Sequence, residues 1–310
     1  MKILLAVSGG IDSMYLANRA PELFPGASFA VAHCNFGLRG DESDGDEAFV
    51  REWCGSHGIG LYATRFDTTA YAEERHISIE MAARELRYSW FADICAGNGF
   101  DALATAHNAN DNAETLMLNL LRGTGSRGIR GMAADSLQGC RILRPMLGIT
   151  RTEIESWMLA GGHAWRDDSS NAQSEYKRNK IRNGVFPLFK EINPSFVQTF
   201  TADMERFAQV DDIAEDYFRE SLAKGVFIEP EAAVSVPVLL SLKHWKYVLW
   251  RLLENCSLNR QTFDKLTGLL QKYKDGPSGT VTLSGKSFET PSHVIKAVGK
   301  ELRILPNPNL

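Results

Sequence analysis

Glycines and small hydroxyl residues follow a short apolar run at the amino end of the chain. The run at 2–7 predicts a buried strand, and Ser8-Gly9-Gly10-Ile11-Asp12-Ser13 follows it directly. This order predicts a strand that leads into a helix through a loop almost without side chains. Such a loop presents backbone N–H groups and a helix N-terminus to one point, and its natural ligand is a phosphate. An ordinary strand–turn–helix connection is the alternative, because paired glycines are common in turns.

Two more polar clusters stand at the ends of predicted strands. One runs from His33 to Asp41, and the other from His107 to Thr115. In open parallel sheets, ligands bind outside the carboxyl ends of the strands. We therefore expect these clusters and the glycine loop to lie at one edge of a sheet.

Asp111 and Glu114 stand three residues apart in the first turn of a predicted helix, so they face the same side. Two carboxylates beside ATP phosphates could coordinate Mg²⁺ or hold an incoming ammonium group. Acids that only stabilise the helix N-terminus are the alternative. His107 could donate to a phosphate or stabilise charge on a leaving group, and a packed core histidine is its alternative.

The segment from Arg122 to Arg151 holds six arginines and a single acid, Asp135. Guanidinium groups among glycines favour contact with a polyphosphate or an RNA backbone, and a solvated surface loop is the alternative. The Gly-x-Gly-x-x-Gly pattern at 123–128 follows a helix rather than a strand, so we do not expect a dinucleotide site. We read the Walker-like Ser-Gly-Lys-Ser at 284–287 as a β-turn.

Length and composition set broad limits. A chain of 310 residues is long enough for more than one domain, and its net charge of −4 gives no global basic signature. Five scattered cysteines without a C-x-x-C pair indicate a reduced protein without a structural metal. There is no run of eighteen apolar residues, and we expect a cytoplasmic protein with no membrane partner.

The apolar patterns predict an α/β fold with a doubly wound, mostly parallel sheet. Strands are expected at 2–7, 28–34, 60–66, 101–106 and 141–144, alternating with helices at 12–20, 43–57, 78–97 and 110–122. A capping box at 150–153 opens a helix to about 160, before a polar loop at 167–171. We expect domains at 1–215 and 216–310.

The second domain is expected to be small, mainly helical and in contact with tRNA, with a β-hairpin tail. Helices are predicted at 175–186, 195–224, 239–254 and 260–273, with Pro230 and Pro237 in a linker. A breaker at 275–279 precedes short β-like pieces from 280 to 305.

The glycine loop resembles that of the PP-loop ATP pyrophosphatases, and roughly residues 1–190 resemble the tRNA(Ile)-lysidine synthetases. The fold that this implies is similar to the adenine nucleotide alpha-hydrolases. The matching segments are Ser8-Gly9-Gly10-Ile11-Asp12-Ser13, His33 through Arg39, Asp46 through Val50, Ala83 through Tyr88, Ala106 through Thr115, Leu118 through Gly131, Arg144 through Leu147, Asp167-Asp168-Ser169-Ser170-Asn171 and Arg178 through Arg182.

The resemblance implies a two-step ligation. ATP adenylates O2 of wobble cytidine 34 in tRNA(Ile) with a CAU anticodon and releases pyrophosphate. The ε-amine of free L-lysine then displaces AMP and forms a carbon–nitrogen bond. ATP and Mg²⁺ are the implied cofactors. A homodimer and a monomer both remain open.

The resemblance also implies roles for individual residues. The glycine loop, residues 8–13, would bind the β and γ phosphates, with Asp12 as a magnesium ligand. The adenosine would be flanked by Ala32, His33 and Asn35. The lysine ammonium would be received by Asp111 and Glu114, and the reacting groups lined by His107, Arg84 and Arg122. Contacts to tRNA are expected from Arg127, Arg130, Arg178 and Arg182.

The chain departs from the family pattern at four positions. Asn108, Asn110 and Asn112 replace a histidine, an aspartate and a glutamine, and Phe36 stands where a second histidine is usual. The extra carboxyl-terminal β domain of longer relatives is expected to be absent, unless the chain is a fragment. Two other readings stay open: another PP-loop tRNA-modifying enzyme such as a thiolase, and a non-catalytic nucleotide or tRNA binder.

Overall fold

A computed structural model describes residues 1–166, 176–276 and 282–308, without the side chain of Tyr176. The chain divides into two compact units, Met1–Gln209 and Val210–Leu310. The polar loop expected at 167–171 lies outside the described residues, as do Pro277, Ser278 and Gly279 of the expected breaker. None of the helices in the described parts of the chain is long and apolar enough to cross a membrane.

The first unit is built on a six-stranded sheet of order β3-β2-β1-β4-β6-β5. All neighbouring pairs are parallel except β5 with β6, which is antiparallel. This confirms the expected mostly parallel sheet. The strands are β1 (Lys2–Ala6), β2 (Ser28–Asn35), β3 (Gly60–Arg65), β4 (Ala102–Ala104), β5 (Asp135–Gln138) and β6 (Cys140–Leu143).

Helices cover both faces of this sheet, as a doubly wound fold requires. Alternate strand residues point to opposite faces. Ile3 and Leu5 pack with α1, α2 and α7, whereas Leu4 packs with α4 on the other face. The helices are α1 (Ile11–Leu23), α2 (Asp41–His57), α3 (Thr68–Arg75), α4 (Ile79–Asn98), α5 (Ala109–Arg122), α6 (Ser126–Ile129) and α7 (Arg151–Ala160).

The expectation of helix at 175–186 is confirmed from 176 onward, and the helical stretch continues to 192. It consists of α8 (Tyr176–Lys180), a π-helical turn (Ile181–Val185) and α9 (Phe186–Ile192). Ile181 and Phe186 pack in one apolar core with Ala109 and Ala113 of α5. The next helix, α10 (Phe196–Ala223), confirms the expectation at 195–224 and runs past the division between the units.

The second unit combines helices with a five-stranded antiparallel sheet of order β7-β8-β11-β10-β9. The linker expected around Pro230 and Pro237 is wrong, because two short strands pair there and Pro237 opens a helix, where its missing N–H costs nothing. The elements are β7 (Phe227–Ile228), β8 (Ala233–Ser235), α11 (Val236–Ser241), α12 (Trp245–Leu252), a 3₁₀ turn (Glu254–Cys256), α13 (Arg260–Asp275), β9 (Ser287–Glu289), β10 (His293–Val298) and β11 (Glu301–Pro306).

The Walker-like segment at 284–287 is a turn, as expected. Lys286 N donates to Leu283 O at 3.1 Å, and Gly285 has a φ of +83°. The predicted β-hairpin is present as β10 and β11, but it is part of the larger sheet.

Candidate functional site

The glycine loop wraps around the hydroxyl of Ser13. Ser8 N and Gly9 N donate to Ser13 Oγ at 3.1 and 3.2 Å, and Ser13 Oγ donates to Gly10 O at 2.8 Å. Gly9 has a φ of +98°, a conformation that favours glycine. The glycine loop runs directly into α1, whose first residue is Ile11, so the loop and the N-terminus of that helix lie side by side. This arrangement suits an anion.

Asp12 lies in the first turn of α1 and is held by two side chains. Arg151 Nη1 donates to Asp12 Oδ2 at 2.6 Å, and Asn108 Nδ2 donates to Oδ1 at 3.1 Å. Burial raises the pKa of Asp12 and the nearby Asp111 raises it further, whereas Arg151 opposes this shift. The glycine loop and the start of α5 are therefore joined through this carboxylate.

A capping box opens α5. Asp111 N donates to Asn108 Oδ1 at 3.0 Å, and Asn108 N donates to Asp111 Oδ2 at 3.1 Å. The residue before the cap, His107, shares a 2.9 Å hydrogen bond between its Nδ1 and Thr105 Oγ1. Burial lowers the pKa of His107 to about 4, and Arg144, Arg178 and Arg84 act in the same direction. The imidazole is therefore neutral at neutral pH and can donate or accept a single proton.

Glu114 and Asp111 bind the guanidinium of Arg182. Arg182 Nε donates to Glu114 Oε1 at 2.6 Å and Nη2 to Oε2 at 3.2 Å, while Nη2 lies 3.4 Å from Asp111 Oδ1. Glu114 is completely buried. Burial raises the pKa of Glu114, and the ion pair with Arg182 opposes the shift. The carboxylates expected to bind an amine thus already hold a cation from the chain.

A pocket opens beside the glycine loop. Its polar lining comes from the glycine loop, from α1 and from Arg87 of α4, and the remaining lining is apolar or aromatic. The lining residues are Ala6, Val7, Ser8, Asp12, Ser13, Ala32, Cys34, Phe36, Arg87, Phe91 and Ala106. A pocket with a few polar groups and a mostly apolar lining is typical of small-molecule sites.

Two residues expected to flank the adenosine do not line this pocket. Ala32 does, but His33 and Asn35 alternate with it along β2 and point to the other face. His33 is buried, with Nδ1 2.9 Å from Val7 O. Asn35 Nδ2 donates to Asp44 Oδ1 at 2.9 Å. These contacts brace the end of β1 and the start of α2. A contact of His33 or Asn35 with adenosine stays a prediction.

Seven of the eleven pocket residues were not predicted as site residues, and two signals in the sequence could have found four of them. Alternation from Ala32 leads to Cys34 and Phe36. Helical spacing along α4 leads to Arg87 and then Phe91. The Arg87 guanidinium lies 5.0 Å from the centre of the Phe36 ring, a cation–π contact at the position where a histidine was expected.

The expected reacting-group arginines are separated in the structure. Arg84 stacks on Tyr88 at 4.7 Å and is close enough to His107 to lower its pKa. Arg122 is exposed at the far end of α5, about 20 Å along the helix axis from the start that His107 precedes. Arg122 therefore does not lie beside His107 in this structure, and its contact with the reacting groups stays a prediction.

The arginines expected to contact tRNA occupy three different places. Arg127 lies in α6, and Arg130 follows it directly. Arg178 lies in α8, close enough to His107 to lower the pKa of the imidazole. Arg182 is paired as described above. A contact of these residues with tRNA stays a prediction.

A second charged cluster, missed in the sequence, lies behind the glycine loop. Arg39 Nη2 and Arg166 Nε donate to Asp46, at 2.7 and 2.5 Å. Arg166 N also donates to Gly9 O at 3.0 Å. Arg166 therefore fastens the glycine loop to α2. Within the described residues, no three His, Cys, Asp or Glu side chains are grouped as a metal site.

Comparison with known proteins identifies relatives of this chain. Residues 1–189 match the model of a PP-loop domain. The tRNA(Ile)-lysidine synthase of Parabacteroides distasonis is 39% identical over 270 residues, which are 87% of this chain and 60% of that protein. The enzyme of the same name from Porphyromonas gingivalis is 38% identical over 98% of this chain and 63% of its own length. This chain thus spans about three fifths of those two relatives.

A third relative is covered almost completely. The tRNA(Ile)-lysidine synthase of Chlorobaculum tepidum is 35% identical over 94% of this chain and 88% of its own length. Among solved structures, the U34-tRNA thiolase NcsA from Methanococcus maripaludis superposes with a TM-score of 0.57 and 18% identity, covering 67% of this chain and 72% of that one. That likeness supports the fold alone. On the domain match and the relatives together, the chain belongs to the tRNA(Ile)-lysidine synthase family of PP-loop proteins.

Proposed function

We propose that the chain ligates L-lysine to C2 of wobble cytidine 34 in tRNA(Ile) with a CAU anticodon. In the first step, O2 of the cytidine attacks the α-phosphorus of ATP, and pyrophosphate leaves. In the second, the ε-amine of lysine attacks C2, AMP leaves, and the amine loses a proton. A carbon–nitrogen bond replaces the carbon–oxygen bond at C2.

The juxtaposition of the glycine loop, the adjoining pocket and the His107 cluster carries this proposal. The loop and the α1 N-terminus would hold the β and γ phosphates and stabilise the departing pyrophosphate. The part of the pocket lined by Phe36, Phe91 and Arg87 would receive the adenine. Neutral His107 could then hydrogen-bond the reacting phosphate without adding charge.

Two carboxylates next to the glycine loop suit a magnesium ion. Mg²⁺ at an ATP site is usually bound by one or two carboxylates together with the phosphates. Asp12 fits this role, with Asp111 close enough to raise its pKa. Asp12 also binds Arg151, so the guanidinium and a magnesium ion would both balance the negative charge of this carboxylate. When bound, the ion would neutralise part of the phosphate charge.

The acceptor amine is assigned to Asp111 and Glu114, because a cation already binds there in the structure. For tRNA, the proposed contacts are Arg127, Arg130, Arg178 and Arg182, since guanidinium groups pair well with phosphates. The 216–310 domain is proposed to contribute to tRNA binding as well. We also propose a cytoplasmic location for the chain.

The direct test has two readouts. Exchange of labelled pyrophosphate into ATP, in the presence of tRNA(Ile), reports the first step. Mass analysis of nucleoside 34 after addition of L-lysine reports the second, and we expect the mass of lysidine. Formation of ADP rather than AMP would contradict the proposal.

Replacement of Asp111 gives the sharpest variant. We expect Asp111→Ala to abolish lysine incorporation, because the amine site loses one of its two carboxylates. Asp111→Asn keeps an oxygen that can accept the Asn108 N–H, so it separates loss of charge from loss of the cap. Asp67→Ala removes the cap of α3 and serves as a matched control that should remain active. Unchanged lysine incorporation by both Asp111 variants would refute the role.

A sulfur-transferring relative is the second candidate, because the fold is shared with a U34-tRNA thiolase. The five cysteines here include no C-x-x-C pair, which disfavours sulfur chemistry. The mass of nucleoside 34 distinguishes the two, since a thiolated base carries sulfur and no lysine. A nucleotide binder without catalysis would show neither pyrophosphate exchange nor a changed nucleoside.

A further inference from the structure

One cation of the chain occupies the place proposed for the acceptor amine. The carboxylate pair, Asp111 and Glu114, is bound by Arg182 through three contacts of 2.6, 3.2 and 3.4 Å. A guanidinium that binds one carboxylate with two nitrogens makes a strong and directional ion pair. Any amine that uses these carboxylates must therefore displace Arg182 or share them with it.

The burial of Glu114 explains why its carboxylate is paired with a cation. Glu114 has no exposed surface, and a buried carboxylate without a partner is costly. Arg182, by contrast, keeps 41% of its side chain exposed, so solvent and ligands can reach it. The buried partner is fixed on α5, whereas the half-exposed partner is the one that can move.

The backbone of Arg182 is irregular. It belongs to the π-helical turn Ile181–Val185, between the short helices α8 and α9. Such turns are rare and are frequently found at functional sites. Ile181 is anchored in the core beneath α5, so the turn stays in place while the Arg182 side chain can leave.

We propose that Arg182 is a built-in competitor of the acceptor amine. It holds the carboxylate pair until lysine arrives and is then displaced. This inference rests on the proposed function, which assigns the amine to these carboxylates. The apparent association constant for lysine is then the intrinsic constant multiplied by the fraction of molecules in which Arg182 has left the carboxylates. If Arg182 occupies the pair in nine of ten molecules, its removal strengthens lysine binding about tenfold.

Equilibrium dialysis of labelled L-lysine against the full chain measures this directly. We expect Arg182→Met to lower the dissociation constant about tenfold. Arg182→Lys should have a smaller effect, because an ammonium group lacks the fork that binds two oxygens at once. Arg206→Met is the matched control, since Arg206 forms an exposed pair with Asp203 on α10. Its dissociation constant should equal that of the unchanged chain.

Three results would overturn the proposal: a dissociation constant that rises in the Arg182 variants, one that stays unchanged, or absence of lysine binding in every protein. Circular dichroism shows whether Arg182→Met is folded, and Arg182→Lys decides alone if it is not. Pyrophosphate exchange by the unchanged chain is measured in parallel. Its absence would contradict the proposed function, while the lysine dissociation constants would still decide the role of Arg182.

Discussion

At the scale of residues, the three unexpected asparagines have defined structural contacts. Asn108 caps α5 and donates to Asp12, while Asn110 Oδ1 accepts the Arg151 N–H at 3.0 Å. Asn112 Oδ1 accepts the Met132 N–H at 2.7 Å. Amides supply both donors and acceptors without charge, so these contacts hold the site together without changing its charge balance.

The depressed pKa of His107 predicts a pH dependence of stability. The unfolded histidine titrates near 6.5 and the folded one near 4, so between these values the unfolded chain binds more protons. Stability that is present above pH 6.5 is therefore lost as the pH falls towards 4. The free energy of unfolding should fall between pH 7 and pH 5 for both proteins. We expect this fall to be about 2 kcal/mol smaller for His107→Asn than for the unchanged chain.

Urea unfolding at the two pH values measures this difference. His57→Asn, at an exposed position in the last turn of α2, is the control and should retain the full dependence on pH. An equal loss of stability for His107→Asn and the unchanged chain would show that His107 is not held neutral.

At the scale of elements, the regular apolar patterns predicted most of the first unit. Every strand of the parallel part was expected from its apolar run, and the capping box at Thr150 marked the start of α7. Elements without such a pattern were missed. The edge strand β5 is mostly exposed, and β7 has only two residues, so their existence depends on pairing with distant strands. The π-helical turn before α9 was missed as well, because the sequence shows only one continuous helical pattern there.

The site shows the same division between local and distant information. Asp12, His107 and the pocket contribution of Ala32 follow from positions at strand ends. The pairing of Arg182 with Glu114 joins residues 68 positions apart, and nothing in the local sequence indicates it. The position of these three residues at one edge of the sheet could therefore be predicted, whereas the ion pairs around them could not.

Helix α2 offers a test of one such distant contact. Gly45 lies inside the helix, where alanine is normally more stable by about 0.5–1 kcal/mol. A Cβ at this position would lie 2.9 Å from Arg166 Nη2, so the guanidinium would have to move away from its pair with Asp46. We expect Gly45→Ala to gain no stability.

Gly55 in the same helix is the matched control, because a Cβ there would meet nothing within 4 Å. Gly55→Ala should raise the free energy of unfolding by about 0.5–1 kcal/mol in urea titrations. Equal gains for the two variants would mean that Arg166 does not restrict position 45.

At the scale of the whole molecule, each unit has its own core. The core of the second unit contains Leu249 and Leu266, and that of the first contains Ile154 and Met158. Leu249→Ala should lower the stability of the second unit by about 2–5 kcal/mol, because Leu249 is completely buried. Ile154→Ala should do the same to the first unit.

Calorimetry distinguishes the two units if ATP is added. ATP should raise the midpoint temperature of one unfolding transition only, the transition whose midpoint Ile154→Ala lowers. The reason is that the proposed nucleotide site lies within the first unit. The transition lowered by Leu249→Ala should not respond to ATP. If ATP stabilises the transition affected by Leu249→Ala, the two cores do not unfold as separate units.

The long separation between Asp12 and its partner Arg151 has a consequence for biosynthesis. The two residues are 139 positions apart, so a ribosome working at about 5–20 residues per second needs on the order of 10 s to travel from one to the other. During that interval the Asp12 carboxylate lacks the positive charge that Arg151 of α7 later supplies. The proposed nucleotide site therefore cannot reach its final form until translation has passed Arg151.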